Sequence, residues 1–74
     1  MRVPVTKLQR GMRFAEWKVV TLVEKKGRRV LVYTYDDWND IDAVIDFHIN
    51  DCPTVINVSP DCNGGYVIEE IEER

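Results

Sequence analysis

The sequence has little histidine and serine, the residues that a serine-histidine-acid triad needs besides its carboxylate. Its 74 residues include one histidine, His48, and one serine, Ser59, and neither a G-x-x-x-x-G-K-[ST] loop nor a G-x-G-x-x-G loop occurs. A serine-histidine-acid triad therefore has little material, and a nucleotide has no glycine-rich loop to hold its phosphates. We expect a protein that is not an enzyme and that uses no cofactor.

Cysteine is also scarce, since Cys52 and Cys62 are the only two. They are too few for a disulfide scaffold, and with His48 they offer three metal ligands without the paired C-x-x-C spacing of a structural zinc site. The acidic run DDWNDID does not match a calcium loop, because Trp38 and Ile41 stand where oxygen ligands are needed. The sequence therefore predicts no metal site.

Long apolar runs are missing as well. No segment approaches the roughly 20 apolar residues that cross a bilayer, and the opening Met1-Arg2-Val3-Pro4 is not typical of a signal peptide. We therefore expect a cytoplasmic protein without membrane contacts. A composition of 45% hydrophobic and 31% charged residues is typical of one small domain, here residues 1–74.

The sequence does contain a clear pattern of short strands. In FAEWKVVTLVEKKGRRVLVYTY, two runs rich in β-branched and aromatic residues flank a lysine-glycine turn, which predicts a hairpin. Alternation along its first arm puts Val20 and Leu22 on the side opposite Val19 and Val23, so we expect this arm to be buried on both faces. A second hairpin is predicted near the end, with strands near 54–59 and 66–72 around a turn rich in proline, asparagine and glycine.

The stretch between the two hairpins fits either a strand or a helix. A strand over 41–49 leaves only Val44 out of pattern, whereas a helix over about 37–49 leaves Ala43 and Phe47 on its exposed side. The β-branched content also favours the strand. We therefore predict an all-β fold, a five-stranded antiparallel meander or small SH3-like barrel. The helical alternative would give an α+β fold with one helix between two hairpins.

Charge divides unevenly along the chain. Residues 1–35 carry a net charge of +7 and residues 36–74 carry −10, which together give the total of −3. If the two halves stay apart in space, the surface is bipolar and steers charged partners. If they pack side by side, the charges form cross-strand pairs that contribute little each. Opposed charges of this kind also allow a homodimer.

The acidic half provides our preferred interaction site. The segment DDWNDIDAVIDFHIND contains six aspartates and no lysine or arginine. We predict that an acidic face binds a partner protein with a basic surface, which could be a nucleic-acid-binding surface. The residues of this face are Asp36, Asp37, Trp38, Asp40, Asp42 and Asp46. Tryptophan is enriched among interface hot spots, although Trp38 could instead cap one end of the core. Small acidic domains without catalytic motifs are typical of phage-encoded inhibitors and accessory factors.

The basic first hairpin provides the alternative, a small β-barrel that binds nucleic acid. In this interpretation cationic side chains contact phosphates and tyrosines stack on bases, the residues being Lys25, Lys26, Arg28, Arg29, Tyr33 and Tyr35. The sequence pI of about 5.0 is far below the value expected of a nucleic-acid-binding domain. We therefore prefer the protein-binding interpretation.

Overall fold

The computed structural model describes residues 1–69, and these residues form two antiparallel sheets without an α-helix. The first sheet is a four-stranded meander of β1 (Arg13–Ala15), β2 (Lys18–Lys26), β3 (Arg29–Asp36) and β4 (Ile41–His48), in that order. The second sheet pairs β5 (Val58–Pro60) with β6 (Tyr66–Ile68). One turn of 3-10 helix spans Val5–Lys7. Within residues 1–69, no helix has the length and apolar character needed to cross a membrane.

The all-β prediction is confirmed, and so is the strand in the ambiguous middle segment. β4 pairs with β3 along its whole length, from Asp36 opposite Ile41 to Arg29 opposite His48. A strand is favoured here because alternate residues of this segment face the two sides of the sheet. The helical alternative at 37–49 is wrong.

The two sheets do not close into a barrel within the described residues. The chain after β4 pairs instead with the N-terminal segment, where the Val55 N–H donates to the Met1 carbonyl at 2.7 Å and Arg2 forms an isolated bridge with Thr54. The predicted strand over 54–59 is therefore shorter, because its first residues are used in this long-range contact. The strand predicted over 66–72 begins at residue 66 in the structure, as β6 does. Its predicted residues 70–72 lie outside the described residues.

The first arm of the predicted hairpin is interrupted twice. Glu16 and Trp17 form a turn between β1 and β2, and the pairing of β2 with β3 shifts register between Val20 and Leu22. Such a bulge reverses the alternation of side chains. Val20 is fully buried, Val23 packs against the core, and Leu22 is 52% exposed on the opposite face. The expectation that this arm is buried on both faces is therefore wrong.

The core lies on one face of the four-stranded sheet, and the N-terminal segment covers that face. The buried apolar side chains are Val3, Val5, Leu8, Met12, Val20, Val30, Val32 and Val55. Backbone hydrogen bonds fix the covering segment, since the Val3 N–H donates to the Pro53 carbonyl and the Val5 N–H to the Asp51 carbonyl, both at 2.9 Å. The opposite face, which we call the open face, carries the partly exposed Leu22, Tyr33 and Val44 side by side.

One buried polar atom gives a stability prediction. Thr34 is 1% exposed on the core face, and its hydroxyl has no hydrogen-bond partner among the described residues. Thr34→Val keeps the shape and removes the unsatisfied hydroxyl, so we expect the free energy of unfolding to rise by about 1 kcal/mol. Urea unfolding followed by tryptophan fluorescence measures this change. A decrease would mean that the hydroxyl forms a favourable interaction.

Candidate functional site

The turn between β3 and β4 is built by its own polar side chains. The Asp36 carboxylate accepts hydrogen bonds from the backbone N–H groups of Trp38 at 2.9 Å and Asn39 at 3.1 Å, and from the Asn39 side-chain amide at 3.0 Å. These hydrogen bonds, first of all the one from the Asn39 side chain, lower the pKa of Asp36. Asp40 closes the turn with a φ of 53°, which aspartate tolerates better than most residues. Asp36 therefore shapes the turn from within.

A tyrosine on β3 holds the last residue of this turn. The Tyr35 hydroxyl donates to Asp40 Oδ1 at 2.5 Å. This hydrogen bond is the main reason that the pKa of Tyr35 is raised to about 12, because the carboxylate stabilises the protonated phenol. Asp40 is thereby anchored beside the open face.

This contact predicts a pH dependence. The pKa of Tyr35 is raised from 10.0 to about 12 in the folded protein, so its stabilising contribution is complete below about pH 10 and is lost as the pH rises towards 12. We expect the difference in phenolate absorbance between the wild type and Tyr35→Phe to titrate near pH 12. A difference that titrates near pH 10 would contradict the hydrogen bond to Asp40.

The turn packs against the neighbouring β1–β2 turn. The Trp38 and Trp17 ring centroids lie 5.5 Å apart with their planes inclined by 32°. Asp37 joins the two turns, since its N–H donates to the Trp17 carbonyl at 2.8 Å and its carboxylate pairs with Arg13 Nη1 at 3.0 Å. Trp17 is 41% exposed and Trp38 is 80% exposed. The alternative prediction, in which Trp38 caps the core, is therefore wrong.

Trp17 is a member of the site that the sequence analysis did not identify. Its alternation within a continuous predicted strand gave no reason to place it beside Trp38. The signal that was missed is the Glu16-Trp17 turn, which divides the strand and brings Trp17 to the same end of the sheet as the β3–β4 turn.

The acidic residues of β4 lie on the open face. Asp42 is opposite Tyr35, and Asp46 is opposite Leu31. Asp46 forms a two-point ion pair with Arg29, with Nε–Oδ1 at 2.9 Å and Nη2–Oδ2 at 2.6 Å. The hydrogen bond is the first cause of the lowered pKa of Asp46 and of the raised pKa of Arg29. The charge of Asp46 is thus balanced locally.

Fewer than six of the residues predicted for the acidic face are therefore available to bind a partner. Asp37 and Asp46 are paired with arginines of the basic half, and Asp36 is used inside the turn. The two halves of the chain are therefore partly interleaved. Among the described residues, Asp40 and Asp42 form no ion pair. They lie at the same end of the sheet as the two tryptophans, and we call these four residues the Trp38 patch: Trp17, Trp38, Asp40 and Asp42.

The residues of the alternative, nucleic-acid-binding site fall into two groups. The cations Lys25, Lys26, Arg28 and Arg29 are all exposed around the tip of the β2–β3 hairpin. The two tyrosines lie on the open face, where the Tyr33 hydroxyl donates to Glu24 Oε1 at 2.8 Å and the Tyr35 hydroxyl to Asp40. Each tyrosine therefore has a carboxylate beside it, which would repel a phosphate backbone.

The remaining chemistry-bearing residues are dispersed. Cys52 and Cys62 are free thiols, and both are exposed. In the part of the chain that the structure describes, no three histidine, cysteine, aspartate or glutamate residues come together in an arrangement that could hold a metal ion.

Comparison of the chain with protein-family models, with curated proteins and with solved structures finds no match in any of the three.

Proposed function

We propose that this protein is a small, non-enzymatic binding module of the cytoplasm that contacts a basic partner protein through the Trp38 patch. The observation that carries the proposal is the position of Trp38, which is 80% exposed and yet packed against the Trp17 ring in a turn fixed by hydrogen bonds. A large aromatic side chain held in place outside the core can bury its surface on binding at a small cost in conformational entropy. Trp38 is therefore the proposed anchor.

The charges around the anchor define the chemistry of the partner. Asp40 and Asp42 have no ion-pair partner within residues 1–69, so their charges are available to cations on another molecule. Acidic side chains beside an aromatic anchor favour a partner with lysine or arginine around an apolar pocket, and they increase its association rate. A nucleic-acid-binding protein has such a surface. An inhibitor or accessory factor of the phage type would act by occupying it.

The exposed cations at the tip of the β2–β3 hairpin support nucleic-acid binding as a second candidate. It is the weaker one, because Arg29 is already paired with Asp46 and the two tyrosines that would stack on bases are bonded to carboxylates. The net charge of −3 also opposes binding to a polyanion.

The test is affinity capture from lysate of the source cell by the wild type and by the double variant Trp38→Ala/Asp40→Asn, with and without nuclease. The proposal expects a protein that is retained after nuclease treatment, weakened by salt and lost with the double variant. Recovery that disappears with nuclease, and that requires Lys26 and Arg28, would favour the second candidate instead. Equal capture by the wild type and the double variant would contradict the proposal.

A further inference from the structure

The two edges of the four-stranded sheet differ in how they are covered. At β1, the Ile56 N–H donates to the Arg13 carbonyl at 2.9 Å and the Arg13 N–H donates to Asn57 Oδ1 at 2.7 Å. At the outer side of β4, the described residues make backbone hydrogen bonds only at its end, where Asp51 bonds both the N–H and the carbonyl of His48. β4 is therefore an open edge along most of its eight residues.

The pairing of β4 with β3 decides which of its backbone groups point outward. Residues of an antiparallel pair alternate between those that bond the neighbouring strand and those that point away from it. The Ile49 N–H donates to the Arg28 carbonyl, so the odd-numbered residues of β4 bond β3. His48, which bonds Asp51 on the outer side, fits this alternation. The outward N–H and C=O groups of Asp42, Val44 and Asp46 therefore have no backbone hydrogen-bond partner within the described residues.

We infer that the partner binds by strand addition, with an extended basic segment pairing along the outer edge of β4; this inference rests on the proposed function. Main-chain hydrogen bonds would supply affinity, and alternate side chains would supply specificity. The side chains of Asp42, Val44 and Asp46 lie on the open face, and Arg29 already balances Asp46. The segment is therefore expected to place lysine or arginine opposite Asp42 and an apolar residue opposite Val44.

The same charges argue against a second copy of this chain as the occupant. Antiparallel self-pairing that uses all three outward positions has its two-fold axis at Val44, and it places Asp42 of each copy opposite Asp46 of the other. Because Arg29 balances only Asp46, each Asp42 would lie opposite a carboxylate without a cation of its own, and like charges directly opposite each other destabilise a strand pair. Acidic residues on an edge strand also oppose aggregation, so the β4 edge favours pairing with a cationic segment over pairing with a second copy of this chain.

The experiment uses a synthetic peptide of about eight residues, a length typical of a strand, in which every second residue is alternately lysine and valine and threonine stands between them, so that lysine can lie opposite Asp42 and valine opposite Val44. We expect its binding to slow hydrogen exchange at the amides of Asp42, Val44 and Asp46 by at least tenfold, which corresponds to about 1.4 kcal/mol. The amides of Ala43 and Ile45 already bond β3, so they are the internal control. The same peptide with its alternate backbone nitrogens methylated keeps the charge, loses the donors and is expected to give no protection.

Val44→Pro tests the edge from the side of the protein. It removes an outward N–H that β3 does not use, and proline is tolerated on the solvent side of an edge strand. We expect this variant to bind the peptide at least about tenfold more weakly while the β3–β4 amides stay protected. If Val44→Pro does not fold, the comparison between the plain and methylated peptides still decides the question.

Three outcomes would overturn strand addition. One is equal binding of the plain and methylated peptides, and another is chemical-shift change at Trp17 and Trp38 without protection of β4. The third is protection of the outward amides that grows with protein concentration when no peptide is present, which would identify a second copy as the occupant. A captured partner that binds Val44→Pro normally but does not bind Trp38→Ala/Asp40→Asn would exclude strand addition. The proposed function would remain supported.

Discussion

Replacing Asn57 with alanine is expected to lower the free energy of unfolding by about 3 kcal/mol, because three main-chain groups would lose their partner. The Asn57 side chain is 4% exposed. Its Oδ1 accepts from the Arg13 N–H at 2.7 Å, and its Nδ2 donates to the carbonyls of Gly11 and Glu69, both at 3.0 Å. One side chain thus joins β1, the turn before it and the end of the second sheet. A domain of this size has only about 5 kcal/mol of net stability to lose.

Urea unfolding followed by tryptophan fluorescence measures this effect. The matched control is Asn63→Ala, which removes an exposed asparagine from the β5–β6 turn and is expected to change the unfolding free energy by less than about 0.5 kcal/mol. An Asn57→Ala protein within about 1 kcal/mol of the wild type would contradict the prediction, because it would mean that water replaces the amide at little cost.

The sequence predicted the strands because their causes are local. Runs rich in β-branched residues lie on either side of the turn at Gly27, whose φ of 61° is easily adopted by glycine. The alternation over 41–49 distinguished a strand from a helix. The bulge near Thr21 and the turn at Glu16 were not predictable in this way. Both depend on how β2 fits between two neighbours, and residue alternation within one strand contains no information about its neighbours.

Long-range contacts account for the rest of what sequence reasoning missed. Asn57 bonds the Arg13 N–H across 44 residues, and Met1 meets Val55 across 54. Nothing in the residues around Asn57 indicates that its amide will be buried between two sheets. The contact of Trp17 with Trp38 is of the same kind, since each residue belongs to a different turn and only the paired strands bring the turns together.

The concentration of aspartate in the middle of the chain has largely structural causes. Five of the six aspartates of this segment stabilise the fold: one shapes a turn, two pair with arginines, one accepts the Tyr35 hydroxyl and one bonds the end of β4, in the order Asp36, Asp37, Asp46, Asp40 and Asp51. Asp40 and Asp42, the acidic members of the Trp38 patch, form no ion pair within the described residues. Charge counts along the sequence overstate the acidic site because they do not distinguish these roles.

The double variant Trp38→Ala/Asp40→Asn is expected to weaken binding of the captured partner by about 30-fold or more, the loss of about 2 kcal/mol that defines a hot spot. Its effect on folding should be smaller. Trp38 is 80% exposed, and the ring contact with Trp17 that is lost contributes about 1 kcal/mol. Isothermal titration measures the first quantity and urea unfolding the second.

The matched control is Val67→Ala, which shortens an apolar side chain that is 50% exposed on β6, in the other sheet, and should leave the affinity unchanged. Trp38→Phe separates the two roles of the anchor, since a phenyl ring can still stack on Trp17 but buries less area on a partner. If the double variant loses stability and affinity in equal measure, Trp38 supports the turn and does not contact the partner. If affinity falls alone, the aromatic ring is held outside the core for binding, because the fold does not require it there.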